Sequence, residues 1–232
     1  MRFLLYLVAL AWVLPAWAVE DIDKVNGSIR VEADQAVGKL STVNGSIQVG
    51  ADCTVGSAET VNGQISLGER TRAGDLETVN GAILLATGAS AHHIETVNGA
   101  IDIGTTGQVK GSLETVNGHV LLRSNARVDG GIESANGRIT LQRSATAGDL
   151  SIANGDIDIG PDARVGSIDV AKQSFSFFNW GKQKRPRIVI GPGAIVQGAL
   201  TFGREVDLFV SDRAKIGRVE GAEVHRFRGE RP

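Results

Sequence analysis

The chain has 232 residues, a formal net charge of −2, 30 glycines and a single cysteine. One cysteine excludes an intramolecular disulfide, so stability has to come from backbone pairing and core packing. Few aromatic residues and many small β-branched residues indicate a narrow interior rather than a broad aromatic core.

The N-terminal segment has the pattern of a secretory signal peptide. Arg2 precedes an almost unbroken apolar run, Phe3–Leu14, which Pro15 ends, and Ala16-Trp17-Ala18 provides small residues before a cut. We expect residues 1–18 to be removed on export to the periplasm or the cell surface. An uncleaved anchor is the alternative. No later stretch approaches the roughly 20 apolar residues of a membrane span, so none is expected after cleavage.

The segment that follows residue 18 contains a regular sequence repeat. Asn-Gly pairs, each preceded by a small apolar residue, recur at intervals of 18 or 19 residues. Their asparagines are Asn26, Asn44, Asn62, Asn80, Asn98, Asn117, Asn136 and Asn154. Regular self-similarity at this period is the signature of a solenoid.

Each unit contains three short apolar segments separated by three turns. In the first unit Ile29 and Val31 alternate with Arg30, which places both apolar side chains on one face of a strand. One unit cannot bury its apolar face, whereas stacked units pair strand on equivalent strand. The sequence therefore predicts an all-β fold, a single-stranded parallel β-helix with about 18 residues per coil and about ten coils, beginning with residues 19–170.

The eight asparagines have two interpretations. In the structural one, each Asn-Gly pair supplies positive φ angles for a tight corner, and the asparagine side chains form a hydrogen-bonded ladder. In the functional one, the amides form a row that binds a ligand. We favour the ladder, because it requires the same residue in every coil.

Residues 171–187 interrupt the repeat. The apolar spacing returns in residues 188–232, which we predict to form C-terminal coils and a tail. The interruption combines aromatic residues with cations, namely Phe175, Phe177, Phe178, Trp180, Lys182, Lys184, Arg185 and Arg187. One interpretation is a loop that folds back on the solenoid. The other is a contact for a partner or a membrane surface.

Charge is divided unevenly along the chain. Residues 19–170 contain 11 Lys and Arg against 20 Asp and Glu, whereas residues 171–232 contain 12 against 6. An acidic body with a basic end favours head-to-tail contact or contact with an anionic surface. A plain solvated surface is the alternative interpretation.

The sequence offers no constellation that predicts catalysis, a metal site or a cofactor. The histidines His92, His93, His119 and His225 have no metal-ligand spacing, and Glu59, Glu77, Glu95 and Glu114 recur at what we predict to be outward turns. Valines six residues apart resemble those of left-handed hexapeptide acyltransferases, for which His92 or His119 would be the catalytic candidate. The fixed Asn-Gly corner departs from that pattern, so we expect no enzyme activity.

Two stretches resemble known families. The units Thr42–Gly50 (TVNGSIQVG) and Thr96–Gly104 (TVNGAIDIG) resemble an adhesin-like bacterial β-solenoid domain of largely unassigned function. Residues Ile188–Val210 are similar to the bactofilins, which are polymer-forming cytoskeletal proteins. That similarity implies a right-handed, three-sided parallel β-helix that assembles end to end. The bactofilins are typically cytosolic, and this chain departs from them in its export signal.

The first functional hypothesis is therefore a non-enzymatic structural or adhesive scaffold of the bacterial envelope that self-assembles end to end. The open ends of a solenoid are unpaired strand edges, which are either capped or used for assembly. The second hypothesis is a module that binds envelope polysaccharide or lipid through a solenoid face or through the aromatic segment. We expect no nucleic-acid partner and no cofactor.

Overall fold

A computed structural model describes residues 20–172 and 185–232. These residues form β-strands and no helix. The strands are β1 Ile22–Asn26, β2 Ile29–Val31, β3 Ala36–Asn44, β4 Ile47–Val49, β5 Thr54–Asn62, β6 Ile65–Leu67, β7 Arg72–Ala73, β8 Leu76–Asn80, β9 Ile83–Leu85, β10 Ser90–Ala91, β11 Ile94–Asn98, β12 Ile101–Ile103, β13 Gln108–Val109, β14 Leu113–Leu122, β15 Arg127–Val128, β16 Ile132–Leu141, β17 Leu150–Ile159, β18 Arg164–Val165, β19 Ile168–Val170, β20 Arg187–Ile190, β21 Ile195–Val196, β22 Leu200–Phe202, β23 Asp207–Ser211, β24 Val219–Glu220 and β25 Val224–Phe227.

The strands stack in parallel, each on its equivalent one coil away. Ile29 of β2 pairs with Ile47 of β4, and Ile47 pairs with Ile65 of β6. The result is a parallel β-solenoid of about 11 turns with about 18 residues per turn, which confirms the predicted fold class and adds about one turn to the expected ten. Within the described residues no helix is long and apolar enough to cross a membrane.

The core is a set of straight apolar columns inside the coil. In β2, β4 and β12 the outer two residues of each Ile-x-Val or Ile-x-Ile triplet are buried, while the middle one points outward. Leu40, Leu76 and Leu113 form part of a second column and are fully buried. Equivalent residues stack on one another, so each coil fills the same cross-section with aliphatic side chains. This agrees with the narrow interior predicted from the small number of aromatic residues.

Three of the eight Asn-Gly glycines have the predicted positive φ angle, namely Gly27 (114°), Gly137 (155°) and Gly155 (149°), and the other five do not. None of the five, Gly45, Gly63, Gly81, Gly99 and Gly118, has a φ angle in the left-handed region. A Cβ atom at any of these five would instead overlap the carbonyl oxygen of the equivalent glycine one coil below. The glycines are therefore required because successive coils approach each other closely at this corner, and the positive-φ interpretation is wrong for these five.

A regular column of positive φ angles lies in another turn, between the first and second strand segments of each coil. They form a column of left-handed residues at Asp34, Asp52, Arg70, Gly88, Thr106, Asn125, Ser144, Asp162 and Gly193. Seven of these nine residues carry a side chain, and their φ angles are 56–60°. The fold itself imposes the left-handed conformation there, since no single residue type accounts for it.

The stack continues across the interruption. Ile168 of β19 pairs with Leu200 of β22, and Ile157 of β17 pairs with Ile188 of β20. The strands on either side of residues 173–184 thus pair in the register of consecutive coils.

Candidate functional site

The eight predicted asparagines form a ladder along the solenoid. Nδ2 of each asparagine donates to Oδ1 of the preceding one, over distances of 2.9–3.2 Å from Asn44 to Asn154. Seven hydrogen bonds connect all eight predicted asparagines in one direction. The side chains are exposed, so the ladder lies along a corner of the rod and also presents a row of amides to solvent.

A threonine column lies inside the same corner. Thr42, Thr60, Thr78 and Thr96 are buried, and each donates from Oγ1 to the carbonyl oxygen of the glycine of the preceding coil. In the two following coils, the hydroxyls of Thr115 and Ser134 are buried and have no hydrogen-bond partner among the described residues. The next residue of the column is apolar, Ile152.

A carboxylate column runs beside the ladder. Glu59, Glu77, Glu95, Glu114 and Glu133 stack in register on consecutive coils. All five lie within strands, so the turn position predicted for the first four is wrong. Their alternation with the buried leucine and threonine columns places them on the outer face.

A row of valines separates the carboxylate column from the ladder. Val43, Val61, Val79 and Val116 are each 40–43% exposed, and Val25 at the start of the row is 69% exposed. The solenoid stacks these side chains one coil apart, so the face carries parallel rows of carboxylate, apolar and amide groups.

The histidines do not converge on one another. His92 Nδ1 lies 3.1 Å from Asp75 Oδ1, and His93 Nδ1 lies 2.9 Å from Ser112 Oγ. Ser112 also donates to Glu114 Oε1 at 3.2 Å. In a catalytic triad the carboxylate orients the imidazole, whereas this carboxylate contacts the hydroxyl. Among the described residues no three His, Cys, Asp or Glu side chains are grouped so that they hold a metal.

Most of the predicted aromatic and basic contact lies outside the described residues, namely Phe175, Phe177, Phe178, Trp180, Lys182 and Lys184. Arg185 and Arg187 are described and exposed. Arg185 Nη2 contacts Glu205 Oε2 at 2.8 Å, and the Arg187 guanidinium lies 5.2 Å from the ring centre of Phe209. Both arginines therefore contact the C-terminal coils.

Two aspartates have lowered pKa values because of hydrogen bonds between coils. A two-pronged hydrogen bond from Arg70, with distances of 2.8 and 2.6 Å, lowers the pKa of Asp52. Hydrogen bonds from the side chain and backbone of Ser167 lower the pKa of Asp149, whose Oδ1 accepts the Ser167 N–H at 2.7 Å. Asp21 accepts the backbone N–H of Lys39 in the same way. The repeat pattern gave no sign of these contacts, since the aspartates do not recur in every coil.

The single cysteine belongs to the core. Cys53 is buried, and its Sγ donates to the carbonyl oxygen of Glu32 at 3.0 Å. It stands at a position where later coils place Ala89, Ala126 and Ala145, all buried. The thiol therefore acts as a small packing group.

These features define a parallel β-solenoid repeat protein with a polar ladder along one corner. Comparison of the chain with models of protein families, with characterised proteins and with solved structures finds no match. The solenoid class is thus what the structure supports, and no assignment to the adhesin-like domain or to the bactofilins follows from these comparisons.

Proposed function

We propose that this protein is a non-enzymatic structural scaffold of the bacterial cell envelope, an exported rod that self-associates end to end. The observation that carries the proposal is the unbroken parallel stack, in which equivalent strands pair from β1 to β25 in constant register. At about 4.8 Å per coil, the rod is about 50 Å long. The right-handed, three-sided form implied by the resemblance to the bactofilins stays a prediction.

The strand edges at the two ends support self-association. Within the described residues β1 pairs with β3 alone, and β24 pairs with β22 alone. An unpaired edge of a parallel sheet is a template for another strand of the same kind. Side chains at these ends are also less buried than in the middle: Ile22, Val219 and Val224 are partly buried, whereas their equivalents in inner coils are fully buried.

Charge supports a head-to-tail order. Residues 20–34 contain 5 Asp and Glu against 2 Lys and Arg, whereas residues 212–231 contain 4 against 6. The first described coil is therefore acidic and the last is basic, which favours contact between opposite ends and disfavours contact between like ends.

A cysteine cross-link tests this order. Asp23 and Glu220 lie in the same outward column at opposite ends of the stack. If a second copy continues the stack in register, the two Cα atoms lie about 4.8 Å apart, a distance that a disulfide bridges. In a Cys53→Ala background, the pair Asp23→Cys and Glu220→Cys should give covalent dimers and longer multimers on mild oxidation.

The matched control moves one cysteine inward by a single coil. Ser41 pairs with Asp23 in the same column, so Ser41→Cys with Glu220→Cys places the Cα atoms about 9.6 Å apart across the same junction, too far for a disulfide. Multimers from the first pair and monomers from the second support the proposal. Monomers from both pairs, or equal multimers from both, contradict in-register stacking.

A further inference from the structure

Each rung of the asparagine ladder is also a chemically reactive pair. In an Asn-Gly sequence the backbone nitrogen of the glycine can attack the side-chain carbonyl carbon of the asparagine, because glycine has no side chain to obstruct the approach. The new N–Cγ bond displaces the side-chain nitrogen, which leaves as ammonia and takes the proton of the glycine N–H. Water then opens the succinimide ring to give aspartate or isoaspartate. The fold therefore decides which of the eight pairs react.

The stack restrains the reacting groups of the inner pairs. Nδ2 of Asn80 donates to Oδ1 of Asn62, and Oδ1 of Asn80 accepts from Nδ2 of Asn98, both at 3.0 Å. The nucleophile of this pair is the N–H of Gly81, which donates to the backbone oxygen of Asn98 at 3.1 Å. Rotation of the Asn80 side chain toward that nitrogen therefore breaks two hydrogen bonds, and release of the nitrogen breaks a third.

Close contact between the backbones of successive coils adds to this restraint. Gly45, Gly63, Gly81 and Gly99 are half-buried, and a Cβ atom on any of them would lie within 2.2 Å of the glycine oxygen of the preceding coil. A movement of the peptide toward the asparagine side chain thus has to separate two packed coils.

Asn26 and Gly27, in the first coil, lack most of these restraints. Oδ1 of Asn26 accepts from Asn44 at 3.0 Å, but Nδ2 of Asn26 has no hydrogen-bond partner among residues 20–172 and 185–232. A Cβ atom on Gly27 would meet nothing within 4 Å, and both residues are exposed. Their strand, β1, pairs with β3 alone in the described part of the chain. Strands at the end of a stack open at a lower free-energy cost than inner strands.

We propose that Asn26 is a site of spontaneous conversion to isoaspartate and aspartate in the folded protein, whereas the stack protects Asn44, Asn62, Asn80 and Asn98. The product has a carboxylate in place of the amide, and isoaspartate also adds the side-chain methylene group to the backbone. Both changes weaken the pairing of the first rung with the second, and they make the acidic end of the rod more negative. The proposal does not depend on end-to-end assembly.

Peptide mapping by mass spectrometry tests the site. The chain from Val19 is incubated near neutral pH, at low protein concentration and high salt, which disfavour contact between oppositely charged ends. We expect Asn26 to react at least about tenfold faster than Asn80 or Asn98, because only the end strand has to open. In urea the same chain measures the intrinsic reactivity, and the eight pairs should react at rates within about threefold of one another.

Asn80→Ala separates the effect of the ladder from that of the rod end. The substitution removes the acceptor of Asn98 Nδ2, which leaves Asn98 with a single side-chain hydrogen bond, as in Asn26. Asn98 should then react about fivefold faster than in the wild type. Asn44 is the internal control, because its partners Asn26 and Asn62 are unchanged, and its rate should change less than about twofold. Circular dichroism verifies that the variant is folded.

Equal rates at Asn26 and at the inner pairs of the folded protein overturn the proposal. A folded protein that does not react at Asn26, although the chain in urea does, also overturns it. An unchanged rate at Asn98 in the folded Asn80→Ala variant would show that the ladder does not restrain the asparagines, which contradicts the protection proposed for the inner pairs.

Discussion

Arg204 donates to Asn154 across 50 residues of sequence, and this contact ends the asparagine ladder with a cation. The ladder runs in one direction, with every Nδ2 donating toward the N-terminus, so its last carbonyl oxygen is left for a donor from elsewhere. The guanidinium supplies that donor. The ladder is therefore a finite element with its own terminal group, and single rungs can be tested.

Asn98→Ala removes a rung from the middle of the ladder. It deletes the hydrogen bonds to Asn80 and from Asn117, so the free energy of unfolding should fall by about 1–2 kcal/mol. Urea denaturation followed by circular dichroism measures the change. Gln35→Ala, at an exposed position outside the ladder, is the control and should stay within about 0.5 kcal/mol of the wild type. Equal effects at the two positions would show that the ladder does not stabilise the stack.

The corner glycines and the left-handed glycine should respond differently to substitution. Gly99→Ala places a Cβ on the carbonyl oxygen of Gly81, so the coils have to separate and we expect a loss of at least about 3 kcal/mol or failure to fold. Gly88→Asn should be neutral or slightly stabilising, because other coils hold asparagine or aspartate at the same left-handed angle and nothing lies closer than 3.6 Å. Thermal unfolding of both variants measures this, and a stable Gly99→Ala protein would contradict the close approach of the coils.

The threonine column predicts opposite effects from one substitution at two positions. Thr78 Oγ1 donates to Gly63, so Thr78→Val should cost about 1 kcal/mol. Thr115 Oγ1 is buried without a hydrogen-bond partner among the described residues, so Thr115→Val should stabilise the protein by about 1 kcal/mol. Ile152, two coils farther along, shows that this column accepts a β-branched apolar residue. Urea midpoints that shift in the same direction for both variants would contradict this difference in hydrogen bonding between Thr78 and Thr115.

Acid should weaken the contacts between coils. The folded-state pKa values of Asp52 and Asp149 are lowered, so these carboxylates contribute stability above the unfolded pKa of about 3.9, and the contribution is lost as pH falls through the folded-state value. The double variant Asp52→Asn, Asp149→Asn should be less stable than the wild type at pH 6, and the difference should shrink as pH decreases below about 4. A difference that is constant between pH 6 and pH 2 would contradict this linkage.

The solenoid could be predicted from the sequence because every coil repeats the same apolar pattern. Ile29 and Val31 already specify one buried column, and the 18-residue spacing of the asparagines specifies the register. The role of Gly99 could not be predicted, since a left-handed angle and a close approach of two backbones both require glycine. The repeated sequence also did not distinguish a strand from a turn at Glu77, because both expose a polar side chain.

The arginine that ends the asparagine ladder could not be predicted for a different reason. Arg204 and Asn154 are brought together by an interruption of the repeat, and a periodic pattern carries no information about its own interruptions. The contact of Asp149 with Ser167 is similar, because it has a counterpart at Asp21 and Lys39 but does not recur in every coil. Contacts between residues that do not repeat can be found only in the structure. Contacts between repeated residues can be derived from the spacing of the repeat.

Light scattering with electron microscopy, on the chain from Val19 at low and high salt, tests the scaffold most directly. The account predicts a mass that rises with protein concentration at low salt, filaments of constant width, and shorter assemblies at high salt, because opposite charges meet at the junction. A strict monomer at every concentration and salt would contradict end-to-end assembly.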